Sequence, residues 1–138
     1  MADNKTFNFE LVSPEAKLMS EPAWQVVVPG EEGHMGVRAG HCSIVATIKP
    51  GVVKVWKEEG AEPQSIFIAG GFADITADNL TVLAEEAVNL NDLDAASLEQ
   101  EIQNLNDEIQ LAEGDEVKTA RLRKKLDITS AQLRAISS

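Results

Sequence analysis

The chain has 138 residues, enough for one domain or a small domain with an appendage, and too few for a two-domain enzyme with an interdomain cleft. Its 12 basic and 23 acidic side chains give a formal net charge of −11, which disfavours binding to nucleic acid or to anionic lipid and favours protein partners. A single cysteine rules out an internal disulfide, and no apolar run approaches the ~18 residues of a membrane span. The first residues lack the basic and apolar regions of a signal peptide, so we expect a soluble, cytosolic chain.

The composition changes near residue 88. All five prolines, all six aromatic residues (four Phe and two Trp) and eight of the nine glycines lie within the first 72 residues. Such residues interrupt long helices, whereas the following stretch, which contains Gly114 and no proline, permits them. We therefore predict a β-rich head, residues 1–88, and an α-helical tail, residues 89–138.

The head contains short runs that are typical of strands. Phe7, Phe9 and Leu11 alternate with polar residues, as in a strand with one buried face. Further predicted strands cover residues 24–28, 43–48, 52–56, 65–69, 72–76 and 80–84. Strands this closely spaced pair mostly through tight turns, so the head is predicted to be an antiparallel β-sandwich or flattened barrel.

The tail shows helical periodicity in two segments. Apolar or small residues recur at steps of three and four, first at Leu98, Ile102, Leu105, Ile109 and Ala112, then at Leu122, Leu126, Thr129, Leu133 and Ile136. Asp92 or Asp94 can cap the first helix and Asp115 the second, with Gly114 in the connection. The sequence therefore predicts an antiparallel two-helix hairpin, acidic on its first helix and basic on its second.

No pattern in the sequence predicts a catalytic centre. The phosphate loop, HExxH, CxxC and GxSxG motifs are all missing. His34 and His41 lie near two glutamates in a segment with four glycines, where turn glycines are a better interpretation than a metal site or a nucleotide loop. We expect Cys42 to be buried and inert. The prediction is therefore a protein without catalytic residues, metal or cofactor.

A basic run lies on the second predicted helix, at Arg121, Arg123, Lys124 and Lys125. It is either a solvated helix face or a docking strip for an acidic protein surface. Exposed charge pairs hold the hairpin only weakly. The helical tail is therefore either a mobile arm or a permanently docked hairpin, and the sequence does not decide between the two. The residues alone thus predict an adaptor with a β head and a helical arm.

Six segments, taken together and in order, resemble the epsilon subunit of bacterial F-type ATP synthase. They are FELVSPE at 9–15, VPGEEG at 28–33, GV with GH at 36–41, KPG at 49–51, AGGFA at 69–73 and VLAE at 82–85. The resemblance implies a flattened β-sandwich followed by a two-helix domain. It also implies a non-catalytic rotor subunit that links gamma to the c-ring and couples proton-driven rotation to ATP synthesis.

The resemblance also implies site residues, partners and a location. Ser13 and Thr47 match positions that the family turns toward the gamma subunit. The c-ring contact is expected in the loop from Glu31 to His41, at Glu31, His34, Met35, Val37 and His41, and the family often has an acidic residue where His34 stands. The basic strip could reach the beta subunits and modulate ATP hydrolysis. The chain would then sit peripherally at the cytoplasmic side of the bacterial inner membrane.

Some members of that family bind ATP through a Leu/Ile-Asp-x-x-Arg-Ala motif at the first tail helix. Here residues 93–98 read LDAASL, which keeps the Leu-Asp pair and loses both the Arg and the Ala. Without the guanidinium there is no bidentate phosphate donor, so no regulatory ATP site is expected. The alternatives to a rotor subunit are a regulatory adaptor unconnected to energy coupling and, less favoured, a small β-sandwich enzyme.

Overall fold

The computed structural model describes residues 5–137, which form ten strands, a short 3-10 turn and two helices. The strands are β1 Phe7–Val12, β2 Lys17–Ala23, β3 Gln25–Gly30, β4 Gly33–Arg38, β5 Ile44–Ile48, β6 Gly51–Trp56, β7 Gln64–Ile68, β8 Gly71–Ile75, β9 Asn79–Ala84 and β10 Ala87–Asn89. The turn Leu90–Asp92 leads into α1, Ala95–Leu111, and α2, Glu116–Ser137. The chain divides into two compact units, one up to Asn89 and one from Leu90 onward.

The strands join into one sheet whose order is β10-β7-β6-β3-β5-β8-β9-β1-β2, with β4 paired to β3. Inward side chains from strands far apart in this order, such as Phe9, Val53 and Ile75, belong to one buried cluster. The sheet must therefore fold back on itself, with its apolar face inside. The predicted β-sandwich is confirmed, and the alternation of Phe7, Phe9 and Leu11 marks its inward face.

One pairing is parallel: β1 lies beside β9, with Phe9 opposite Leu80 and Leu11 opposite Val82. All the other strand pairs are antiparallel. Tight turns cannot join β1 to β9, because most of the β-sandwich lies between them in sequence. Reasoning from turns alone therefore missed the pairing of β1 with β9.

Three strands were not predicted. β2 carries Pro22 and few β-branched residues, but it lies at the end of the sheet order, where a missing backbone donor is tolerated. β4 was expected to be a glycine-rich loop, and this expectation was wrong. It pairs with β3 over its whole length, from Gln25–Arg38 to Gly30–Gly33. β10 is a three-residue strand paired to β7.

The helical unit is an antiparallel hairpin, as predicted. Asp94 is the N-cap of α1, and its carboxylate accepts hydrogen bonds from the Ser97 amide at 3.2 Å and the Ser97 hydroxyl at 2.8 Å. Gly114, at φ 94°, permits the turn, and the Asp115 carboxylate accepts from the Lys118 amide at 3.1 Å. Leu98, Leu105, Ala112 and Thr129 of the predicted seams are buried. In the described part of the chain no helix is both long and apolar enough to cross a membrane.

Candidate functional site

The outward face of β5, β8, β9 and β1 carries exposed apolar side chains on adjacent strands of the β-sandwich unit. The inward residues of these strands, such as Ala73, Ile75 and Val82, fill the core. Because strand residues alternate between faces, Phe72 and Leu83 must point out. They are 53% and 48% exposed and lie opposite each other on neighbouring strands, so they form a patch and not two isolated side chains. This face is therefore a candidate docking surface.

The register aligns the outward residues into a row across the four strands. Thr47 pairs with Phe72, Phe72 with Leu83, and Leu83 with Val12. We call these four residues the apolar row. At its Val12 end lies an open cleft of about 250 Å³, which Pro14 and Phe72 help to line. The apolar row thus offers contiguous apolar surface with a recess at one end.

A second row runs beside the first, two residues further along each strand. Val45 pairs with Asp74, Asp74 with Thr81, and Thr81 with Glu10. We call it the acidic row because it carries two carboxylates. One of them, the Glu10 carboxylate, forms an ion pair with the Lys17 ammonium at 3.2 Å. Val45, at the other end of the row, is 69% exposed. The face is therefore apolar along one row and negative along the other.

Both residues expected to contact gamma lie on this face. Thr47 is exposed and forms one end of the apolar row, while Ser13 lines the cleft at the other end. The Ser13 hydroxyl donates to the Ala16 carbonyl at 3.2 Å and accepts from the Ala16 amide at 3.3 Å, which closes the turn between β1 and β2. Ser13 therefore shapes the cleft, and its hydroxyl is occupied within the turn.

The expected c-ring residues separate into three places. Glu31 and His34 are exposed at the tip of the β3–β4 hairpin, and Met35 beside them is half-buried against the core. The Glu31 amide donates to the Thr47 carbonyl at 3.1 Å, and a cavity of about 400 Å³ opens between the tip and β5. The tip is thus joined to the face that carries the apolar row.

Val37 and His41 do not share that tip. Val37 is 1% exposed and belongs to the core, because it alternates with outward His34, Gly36 and Arg38, so its side chain is not available to a partner. His41 follows the far end of β4, and its Nδ1 lies 2.7 Å from the Cys42 carbonyl oxygen. At ~3.3 Å per residue, the length of β4 separates it from the tip by more than ~13 Å. Val37 and His41 are therefore not part of the candidate tip site.

Cys42 is exposed, so its expected burial was wrong. The residue follows β4 in a connection outside the strands, where alternation between faces does not apply. Among the described residues, no three histidine, cysteine, aspartate or glutamate side chains come close enough to hold a metal ion.

The basic strip is exposed at all four of its positions on α2, Arg121, Arg123, Lys124 and Lys125. The Lys125 ammonium lies 3.7 Å from a Glu101 carboxylate oxygen on α1, as the opposite charges of the two helices predict. Both side chains are well exposed, so the pair contributes only about 0–1 kcal/mol. Lys125 of the strip thus already faces α1, and all four side chains of the strip remain exposed.

The position corresponding to the ATP motif forms a helix cap. The hydrogen bond from the Ser97 hydroxyl lowers the pKa of Asp94, and the backbone amide of Ser97 adds to the effect. Both acceptor contacts are local to the first turn of α1. Asp94 and Ser97 are therefore engaged with each other.

Of the residues in the two rows, only Thr47 was predicted as a site residue; sequence reasoning missed Val12, Val45, Phe72, Asp74, Leu83, Glu10 and Thr81. A signal was present: in the predicted strand 72–76, Phe72 shares a face with Asp74, whereas Ala73 shares one with Ile75. The second pair identifies the core side, so Phe72 must be outward. The alignment of Phe72 with Leu83 and Val12 required the register of three strands.

Comparison with known proteins gives a consistent result. The family profile described as ATP synthase, Delta/Epsilon chain, beta-sandwich domain matches residues 6–90. The chain is 46% identical to an ATP synthase epsilon chain of Parvibaculum lavamentivorans over 117 residues, 85% of this chain and 88% of that one. It is 43% identical to an ATP synthase epsilon chain of Rhodospirillum centenum, over 100% of this chain and 95% of that one.

Among solved structures, the chain is similar in fold to a chain of the Euglena gracilis mitochondrial ATP synthase, in a structure of OSCP, F1 and c-ring. The TM-score is 0.81 at 23% identity, and the match covers 99% of this chain and 89% of that one. The likeness extends over both the β-sandwich and the helical unit.

Proposed function

The chain belongs to the ATP synthase epsilon chain family, a non-catalytic subunit of that complex, and from this premise we propose how its surfaces divide the work of a rotor subunit. The β-sandwich unit docks on the gamma subunit through the face that carries the apolar row. The tip of the β3–β4 hairpin meets the c-ring. The helical unit reaches the beta subunits through its basic strip.

The exposed apolar row is the observation that carries the proposal. Phe72 and Leu83 remain half exposed although both lie in well-paired strands. Leaving apolar area in water costs roughly 25 cal/mol per Å², so covering these side chains favours a stable complex. Ser13 and Thr47, which match gamma-facing positions of the family, lie at the two ends of the same row.

The hairpin tip supports a second contact. Gly30 cannot carry a side chain here, because a Cβ would lie 2.8 Å from the Gly33 carbonyl oxygen, and this close approach keeps the tip narrow. Glu31 and His34 project from it into solvent. The hydrogen bond from the Glu31 amide to the Thr47 carbonyl ties the tip to β5. A force that the c-ring exerts on the tip would therefore reach the gamma-docking face through this hydrogen bond.

The basic strip supports a regulatory role of the helical unit. The exposed ion pair between Lys125 and Glu101 is weak, so an acidic surface on a beta subunit can compete with α1 for Lys125. In this arrangement the chain is a peripheral protein at the cytoplasmic side of the inner membrane, held there by the complex.

Recovery of ATP synthase subunits with the tagged chain tests the gamma contact. Phe72→Asp should fold, because the side chain is outward, and should lose gamma. Val117→Asp is the matched control, because Val117 is 71% exposed and belongs to α2 of the helical unit, and should retain gamma. Normal gamma recovery with Phe72→Asp, measured on folded protein, would contradict the proposal.

A further inference from the structure

We infer that the face of the two rows receives an amphipathic helix of its partner, which crosses the strands with its apolar side on the apolar row and a lysine or arginine over Asp74. The inference rests on the proposed function, in which the partner is the gamma subunit. It adds the kind of element that docks, its direction and its charge pattern.

The spacing of the apolar row fits a helix. Thr47, Phe72, Leu83 and Val12 lie on four adjacent strands, and neighbouring strands are ~4.8 Å apart. A helix presents same-side residues once per turn of ~5.4 Å, so successive apolar side chains can fall close to successive strands. The right-handed twist of the sheet tilts such a helix without breaking this match.

The spacing does not fit an extended segment. Same-side residues of a strand are ~6.7 Å apart, which falls out of step with the row after one interval. Strand addition is also blocked, since β8, β9 and β1 each have hydrogen-bonded neighbours on both sides. An extended partner could therefore neither follow the row nor join the sheet there.

The acidic row gives the helix a charged side. Asp74 is exposed, and its carboxylate has no ion-pair or hydrogen-bond partner among the residues that the structure describes. It lies one strand from Val45 on one side and from Thr81 on the other, about 7 Å from the apolar row. Glu10 already pairs with Lys17, so Asp74 is the carboxylate of this row that a basic side chain of the partner would pair with.

The two sides of the apolar row differ, which orients the helix about its own axis. On one side lies the acidic row. On the other, the strands end and a cleft opens beside Val12; Ser13 and Pro14 form it together with Glu85, which is already engaged with another residue. The basic side of the helix should therefore face Asp74, and an apolar side chain near one end should enter the cleft.

Cysteine cross-linking on the full chain bound to gamma tests the direction. In a Cys42→Ser background, Thr47→Cys and Val12→Cys each receive a short bifunctional reagent, and the linked gamma residues are read by mass spectrometry. The ends of the row are three strand intervals apart, ~14 Å. A helix along the row predicts two gamma positions in one segment, seven to eleven residues apart, at ~1.5 Å per residue.

Other cross-linking outcomes have distinct meanings. Positions about four residues apart would indicate an extended segment, and positions in unconnected segments would indicate loops. Either result overturns the inference while leaving gamma docking intact. No link to gamma from either cysteine, in protein shown to be folded, would overturn the proposed function as well.

Charge reversal tests the basic side of the helix. Asp74→Lys should weaken gamma binding roughly tenfold at low salt, with much of the difference removed by added salt. Asp78→Lys is the matched control, since Asp78 lies exposed in the β8–β9 turn, off the two rows, and should change binding by less than about twofold. Equal effects of the two substitutions would overturn the pairing with Asp74.

Discussion

Gly71 begins β8 immediately before Phe72, and its backbone permits no side chain. Its φ of 148° lies in a region that essentially only glycine occupies, and a Cβ there would lie 1.8 Å from the Leu83 carbonyl oxygen. Because β8 and β9 would have to separate, the whole docking face depends on this residue.

We expect Gly71→Ala to lower the free energy of unfolding by roughly 2–5 kcal/mol, the strain of φ added to a forced backbone shift. Gly60→Ala is the matched comparison, because Gly60 also has a positive φ, 83°, but no atom within 4 Å of its Cβ position. It should cost roughly 1–2 kcal/mol. Urea unfolding of both variants measures the difference, and equal losses would contradict the steric argument.

Asp94 holds the start of α1 through its charge. Asp94→Ala should reduce the helical circular-dichroism signal and lower the melting temperature by a few degrees at pH 7, because Ser97 loses its acceptor. Asp92→Ala, the same change in the preceding 3-10 turn, should have little effect. An equal loss in both variants would mean that general charge, not the cap, is responsible.

The pH dependence of this effect follows from the lowered pKa of Asp94. A carboxyl whose pKa is lower in the folded state contributes stability above the usual Asp range and loses it as the pH falls through the lowered value. The difference between the parent chain and Asp94→Ala should therefore be full at pH 7 and shrink toward pH 2. A difference that grew on acidification would contradict this assignment.

At the scale of the element, the β3–β4 hairpin separates two histidines that the sequence had grouped. His34→Glu should lower proton-driven ATP synthesis in inverted membrane vesicles several-fold, because it replaces the exposed imidazole at the tip with a second carboxylate near Glu31 and so changes the charge of the proposed ring contact. His41→Glu, beyond the far end of β4, should leave synthesis near normal. Added salt should partly restore the His34 variant.

Equal behaviour of the two histidine variants would contradict the tip contact, provided that both are incorporated into the complex. Loss of activity in His41→Glu alone would move the ring contact to the opposite end of the hairpin.

The N-terminus of α1 should not bind ATP. Ser97 stands where the family motif has arginine, and it is engaged with Asp94. A ligand that binds the native state raises stability by RT ln(1 + [L]/Kd), so millimolar ATP should leave the melting temperature unchanged. Calorimetric titration checks this, and a millimolar or tighter dissociation constant would show that another cation, such as Arg121, serves the phosphates.

Local patterns predicted the elements whose cause is local. The alternation of Phe7, Phe9 and Leu11 predicts β1, and the helix starts follow from Asp94, one of the two candidate caps of α1, and from Asp115. The glycines of 30–40 favour a loop because their turn-forming tendency is strong, yet pairing with β3 makes β4 a strand. Tertiary pairing overrode the local preference there.

The docking face was less predictable because its residues align only through the register in which β5, β8, β9 and β1 pair. Phe72, Leu83 and Val12 come from three strands, and nothing in their own segments states that they align. Only Thr47 and Ser13 were identified, through the family resemblance. A one-residue shift in any of these pairings would turn the face inward, so the site exists only when the whole sheet is assembled.

For the whole molecule, the two compact units indicate two separate roles, attachment to gamma by the β-sandwich unit and regulation by the helical unit. If the β-sandwich unit alone carries the gamma contact, a chain ending at Asn89 should fold and bind gamma as tightly as the full chain. The helical unit would then be needed for regulation and not for attachment.

The affinity of purified gamma for three proteins tests the proposed gamma contact: the full chain, the chain ending at Asn89, and the full chain with Phe72→Asp. The proposed contact requires equal dissociation constants for the first two, within about twofold, and at least a hundredfold weaker binding for the third, since a charge would enter the apolar contact. Loss of binding on removing only the helical unit, or unchanged binding by folded Phe72→Asp, would contradict it.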